Sequence, residues 1–160
     1  RRSSDLALKE LFQNTVLVIN RRDYSQAEVE DWASCGNNLS NIKERIETHY
    51  FVVAVNQQSQ IVGFSSITPQ GYLHSMFVHK DFQGEGIATM LLEEIERYAI
   101  TAGITRITSE VSLTARPFFE KKGYVVEKEQ KRKANQLSLT NFLMAKEVAF
   151  LEYYNKKVTD

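Results

Sequence analysis

The sequence predicts an α/β (α+β) fold: a mixed, mostly antiparallel central sheet flanked by helices, with one strand-helix-strand crossover. Three observations predict it. Helical periodicity fills the chain ahead of Tyr50, period-two strand patterning follows, and a glycine turn at 80–86 joins a strand to an amphipathic helix. A further strand after that helix makes a right-handed parallel crossover, the one step that is not antiparallel.

The elements follow in order. Ser4 or Asp5 reads as the cap of a first helix whose face carries Leu8, Leu11, Phe12, Thr15, Val16 and Ile19. The abrupt opening before it reads as the tail of a preceding strand. Ser25 with Glu28 forms a capping box for a short second helix to about Ser34, stopped by Gly36. Asn41 with Glu44 repeats the device for a third, holding Ile42 and Ile46, and the short helices read as a lid. Strands are predicted at Tyr50–Val55, Ile61–Ile67 and 72–78, with turns at 56–60 and at Pro69-Gln70-Gly71. The central helix runs from Gly84 or Glu85 to about Thr101 and ends at Gly103. A strand at 106–111, a short helix capped by Thr114 and ended by Gly123, and a hairpin of 124–132 and 137–146 complete the pattern.

A chain of 160 residues suits one domain, 1–147, with 148–160 as a tail in which Phe150, Leu151, Tyr154 and Val158 suggest a short helix. Twenty acidic and twenty basic residues balance, so no field draws the protein to nucleic acid or an anionic membrane. The basic run Lys121, Lys122, Lys128, Lys131, Arg132, Lys133 is interleaved with glutamates and reads as a solvated face. A single cysteine, Cys35, excludes a disulfide framework and offers no metal-ligand spacing, so the expected setting is cytoplasmic and the expected metal is none. No apolar run is long enough to span a bilayer.

The most informative stretch is 73–89, strand then glycine turn then helix. The first N–H groups of a helix lack partners inside it, and the peptide dipoles leave partial positive charge there. Gly84 and Gly86 let the turn take unusual dihedrals, and small Ala88 keeps the next turn open, so a pyrophosphate is the natural guest. The spacing of Gln83, Gly86 and Ala88 after Phe77-Val78-His79 resembles the acetyl-coenzyme A signature of the GCN5-related N-acetyltransferase (GNAT) superfamily. It matches neither the dinucleotide fingerprint nor the P-loop. The resemblance extends from about Arg2 to Lys146. The phrases at 115–124 and 139–144, with Asp23-Tyr24-Ser25 and Asp31-Trp32-Ala33, are similar to a bacterial YafP-type branch.

That resemblance implies a cofactor cleft between the strand before the turn and the strand after the helix. The backbone of Met76, Phe77 and Val78 is expected along the pantetheine arm, and Gln83, Gly84, Glu85, Gly86, Ile87, Ala88 and Thr89 around the pyrophosphate. Ser112, Ala115, Phe118 and Phe119 are expected to wall the thiol end. The implied partners are acetyl-coenzyme A as acyl donor and an amine acceptor, a small molecule or a peptide, in a monomer or homodimer.

Acyl transfer to an amine needs a neutral amine, a polarised carbonyl and a proton for the departing thiolate. His74 is the first candidate base, sharing a strand face with Tyr72, and Glu110 on the partner strand is the second. His74 merely lining the sheet is the bland alternative, as is a carboxylate of Glu110 held by a neighbouring cation. His49 and His79 read as turn and surface residues. Many GNAT members place a tyrosine acid where this chain has Phe119, which leaves Ser112, Thr114, Tyr24 or solvent to protonate the thiolate. Tyr24 and Trp32 are candidates for the acceptor wall, with Trp32 also readable as core. Cys35 reads as a packing residue rather than a nucleophile. The competing functional class is a non-catalytic acyl-coenzyme A sensor, which Phe119 keeps open, and a nucleic-acid module is remote.

Overall fold

The computed structural model describes residues 2–149, so the helix expected in the tail at 150–160 lies outside the described residues. Helix α1 (Arg2–Val18) is under way before the expected cap: Asp5 lies inside its first turn, buried, where an acidic side chain suits the positive end of the helix. Helix α2 (Gln26–Ser34) has the predicted capping box. Ser25 Oγ accepts from the Glu28 N–H at 3.1 Å, and Glu28 Oε1 accepts from the Ser25 N–H at 2.9 Å. Gly36 is not a left-handed stop. It sits buried in a 3-10 turn, Cys35–Asn37, where a Cβ would lie 2.9 Å from the Phe12 ring, so its smallness lets α1 pack there. Helix α3 (Leu39–Thr48) is capped by Asn38, whose Oδ1 accepts from the Ser40 N–H at 3.0 Å. The expected cap, Asn41, falls inside the helix because the extended residue that starts it is Asn38.

The central sheet is built in two halves. Strands β1 (Tyr50–Val55), β2 (Ile61–Ile67) and β3 (Leu73–Val78) form one antiparallel meander; β4 (Arg106–Ser112), β6 (Ser138–Glu147) and β5 (Val125–Lys133) form the other, in the order β4-β6-β5. The halves meet at a single parallel bridge, Tyr72 to Thr108. There the Thr108 N–H donates to Gly71 O at 3.0 Å, and Ser109 Oγ donates to Leu73 O at 2.8 Å. Gly71 makes that joint possible: its φ is +94°, and a Cβ would stand 2.6 Å from Arg106 O. Beyond the joint β3 and β4 are not paired, so the sheet opens into a V.

Helix α4 (Ile87–Thr101) fills one face, burying Leu91, Leu92, Ile95 and Ala99. Of these, Leu92, Ile95 and Ala99 pack against Ile67, Leu73, Ile107 and Met144 of both halves. Each large aliphatic side chain so buried contributes about 1.5–3 kcal/mol. Helices α1 to α3 cover the other face, where Leu8, Leu11 and Phe12 meet Phe64 and Phe77. Helix α5 (Arg116–Lys121) takes Pro117 in its first turn, but Thr114 does not cap it; Ser112 Oγ instead accepts from the Ala115 N–H at 3.0 Å. Val148, placed in the tail from sequence, belongs to the core: it is 6% exposed, and its N–H donates to Thr105 O at 2.8 Å.

Candidate active site

The V between β3 and β4 holds a cleft of about 770 Å³. It closes where the two halves join and opens toward the start of α4. The helix begins at Ile87, later than expected, so residues 84–86 belong to the turn. Gly84 and Gly86 have φ of +74° and +81°, and a Cβ built at either would meet no heavy atom within 4 Å. The glycines there serve backbone conformation and open access rather than packing. No side chain caps α4, which leaves the N–H groups of Ile87, Ala88 and Thr89 for an anion. These three line the cleft with Gln83, Gly84 and Gly86; Glu85 is exposed and does not. Gln83 turns back on its own strand, its Nε2 donating to Val78 O at 2.7 Å.

Along β3, the His79 N–H donates to Val62 O, so the alternation of an antiparallel ladder directs the N–H and C=O of Val78 and Met76 away from β2, toward the unpaired edge. Met76 thus offers backbone groups there, while the Val78 carbonyl already accepts from Gln83 and from Thr15 Oγ1 at 3.0 Å. Phe77 is an aromatic packing residue, edge-on to Phe12 at 5.0 Å. At the other end of β3, Ser66 pairs with Ser75 but Ile67 with Leu73. His74 is therefore the extra residue of a β-bulge, a device that re-aims a side chain. This bulge is not visible in the alternation of the sequence.

His74 lines the cleft with its Nδ1 buried and without a hydrogen-bond partner among the described residues. Its ring centroid is 5.4 Å from that of His49 and 5.9 Å from that of Tyr72. Burial, then Arg45 and His49, push its pKa down to about 4. His49 is half-buried, not the surface residue expected, and its Nδ1 lies 3.4 Å from Ser66 Oγ. His79 does lie in a turn, its Nδ1 accepting from the Asp81 N–H at 3.0 Å. The Tyr72 hydroxyl donates to Glu110 Oε1 at 3.2 Å, and burial with the adjacent Glu110 carboxylate raises its pKa. Glu110 Oε2 accepts from Arg132 Nε at 2.6 Å and from Gln130 Nε2. This carboxylate is committed to Tyr72, just ahead of β3, and to its neighbours on β5.

Ser112, Ala115 and Phe118 line the cleft wall at the start of α5. Phe119 touches the cleft too but is 2% exposed, packed edge-on to Tyr124 at 5.1 Å. Thr114 Oγ1 is buried beside them with no partner among the described residues. The Tyr24 hydroxyl donates to Thr140 O at 2.6 Å and accepts from the Leu113 N–H at 2.9 Å, so it ties β6 to the end of β4. Trp32 lines the cleft between Tyr24 and Phe77. Cys35 also lines it, and burial pushes its thiol pKa up, away from nucleophilic character.

Two further residues matter: Arg45, which the sequence did not single out, and Asp31, whose structural role the sequence did not show. Arg45 stands in the cleft wall. Asp31 fastens α2 to the tip of the β5–β6 hairpin, its carboxylate accepting from the N–H groups of Asn135 at 2.9 Å, Gln136 at 2.9 Å and Leu137 at 3.0 Å.

Among the described residues no helix is long and apolar enough to cross a membrane, and no group of three or more His, Cys, Asp or Glu is gathered for a metal. The Acetyltransferase (GNAT) domain family matches residues 20–147. The uncharacterized N-acetyltransferase YafP of Escherichia coli (strain K12) is 28% identical over 84% of this chain and 83% of its own. A GCN5-related N-acetyltransferase from Rhodopseudomonas palustris superposes with a TM-score of 0.87 at 26% identity, covering 91% of each chain. The PaiA N-acetyltransferase of Thermoplasma acidophilum in complex with coenzyme A, 18% identical, shares the fold with a TM-score of 0.73, over 91% of this chain and 93% of its own. With a strand-glycine turn-helix cradle opening into a splayed sheet, and a family match across most of its length, the chain belongs to the GNAT family and is an acetyl-coenzyme A-dependent N-acetyltransferase.

Proposed function

We propose that the protein transfers the acetyl group to a primary amine of a small molecule or peptide by direct attack in a ternary complex, within the cleft between β3 and β4. The observation that carries this reading is the cleft itself: its open end meets the uncapped start of α4 at Gly84 and Gly86, and its wall is the unpaired edge of β3. The N–H groups of Ile87, Ala88 and Thr89 hold the pyrophosphate, and the backbone of Met76 with the N–H of Val78 meets the pantetheine. Ala115 and Phe118 wall the thioester.

In the reaction the amine nitrogen attacks the thioester carbonyl carbon, the C–S bond breaks, and the amine gives up a proton while the thiolate gains one. His74 is the proposed base, because its Nδ1 is unpartnered in the cleft whereas every described contact of Glu110 holds its carboxylate to Tyr72, Gln130 or Arg132. Tyr72 and Glu110 then support the wall behind the acceptor, with Tyr24 and Trp32 opposite. The residues through Val148 act as one domain in this reading, with a bacterial, cytoplasmic setting supported by the relatives and the single cysteine.

Release of free coenzyme A across a panel of amines and peptides tests it. Acceptor-dependent release should fall about a hundredfold in His74→Ala, as for loss of a general base, and much less in Glu110→Gln. The reverse order would move the base to Glu110, and failure of acetyl-coenzyme A to bind would remove the cradle assignment.

A further inference from the structure

The cleft contains a cation that no described side chain engages. Arg45, on the face of α3 that lines the cleft, is half-buried and makes no side-chain hydrogen bond or ion pair among the described residues. The adjacent Glu44 is exposed; its charge acts on Arg45 from a distance but makes no ion pair with it. The other cleft cations are accounted for: Arg132 is held by Glu110 at 2.6 Å, Arg22 donates to Ile19 O at 3.2 Å, and Lys133 is exposed. A half-buried guanidinium with no ion-pair partner at contact distance is costly, and its planar fork of donors matches a carboxylate. Arg45 shares the closed end of the cleft with Tyr72 and His74, whose Nδ1 is likewise without a partner. That is the acceptor side, away from the glycine turn.

We propose that Arg45 receives a carboxylate carried by the amine acceptor, so that the substrate class is amino acids or peptides presenting a carboxylate near the reacting amine. This rests on the acetyl-transfer reading above and names the acceptor of that same site. The arrangement has a second consequence. Burial comes first in depressing His74, followed by the Arg45 and His49 charges, with Glu110 opposing them. An anion against Arg45 offsets part of that repulsion, so binding of the acceptor strengthens the base that is to act on it.

The test compares amino acids with their C-terminal amides, which keep the amine and lose the charge. The wild-type protein should favour the acids by about tenfold or more in kcat/KM, the size expected of one charge-assisted bidentate contact. Arg45→Met should bring the ratio near one, and Arg45→Lys should keep part of it. Dipeptides with free C-termini, set beside free amino acids, separate the two sources of the carboxylate. A binding measurement stands apart from turnover: Trp32, the only tryptophan, lines the cleft and reports titration by N-acetyl amino acids and their amides. Acids should bind about tenfold more tightly, and only when Arg45 is present. Equal use and equal binding of acids and amides, or a preference unchanged in Arg45→Met, overturns the assignment. Absence of acetyl-coenzyme A binding instead overturns the transferase reading, so the two fail separately.

Discussion

Thr114 Oγ1 is buried with no partner among the described residues, in the cleft wall beside Ala115 and Phe118. Three hydroxyls were open to that role from sequence. The Tyr24 hydroxyl already donates to Thr140 O, and Ser112 Oγ accepts from the Ala115 N–H while its own proton stays available; Thr114 Oγ1 is the one with neither bond made among the described residues. Its expected service is a hydrogen bond to the thiolate, since a thiol pKa of about 8.5 makes full proton transfer from a dedicated acid dispensable. A bond to a charged group is worth about 1.5–3 kcal/mol, so Thr114→Val should lower kcat roughly 10- to 100-fold. Its melting temperature should hold or rise, because the substitution removes an unsatisfied buried polar atom. Thr114→Ser should keep the rate. Equal kcat in all three proteins would discard the role.

Among the elements, α2 is fastened to the tip of the β5–β6 hairpin, and both contribute residues to the cleft wall. Asp31 accepts three backbone N–H groups at the hairpin tip, and the Asn135 side chain donates to Ser34 Oγ at 2.9 Å. Desolvation works to raise the Asp31 pKa, but the N–H groups of Leu137, Asn135 and Gln136, with Lys133, more than offset it and hold it below the usual carboxylate range. For a depressed carboxylate the stabilisation is present above its unfolded pKa and is lost as pH falls through the folded one. Asp31→Ala should therefore speed amide exchange at 135–137 by about tenfold, the loss of one net hydrogen bond to a charge. Acceptor KM should rise while acetyl-coenzyme A binding stays close to wild type. Unchanged exchange at the tip would show that the hairpin is held by other contacts.

For the whole molecule, His74 links folding to pH. Its folded pKa, pushed down to about 4 by burial and by the Arg45 and His49 charges, lies below the ordinary 6.5. Between those values the unfolded chain takes up a proton that the folded one refuses. Stability thus rises with pH across that window and is lost on acidification, by at most roughly 3 kcal/mol. His74→Leu should flatten the urea-midpoint profile between pH 4 and 6.5. A profile as steep as wild type would place the titrating group elsewhere.

Much of this molecule is legible in local sequence. The Ser25–Glu28 capping box, the meander beginning at Tyr50, the crossover and the glycine turn all depend on residues within a few positions of one another. Backbone sterics and periodicity act at that range. The cap at Asn38 rather than Asn41, and the small residue Gly36 against Phe12, did not follow from it, because competing caps look alike and packing partners come from distant segments.

The sequence by itself determined the fold class and the family, through periodicity along the chain and local phrases, and it placed the glycine turn between strand and helix at 73–89. Tertiary structure alone decided that Gly71 admits a close approach to Arg106 O where the two half-sheets join, and that a bulge re-aims His74. It decided, too, that Glu110 is committed to Arg132 and Gln130 while Arg45 makes no side-chain hydrogen bond or ion pair among the described residues. Which charges are compensated depends on residues as far apart in sequence as Tyr72 and Arg132, brought together only when the chain has folded.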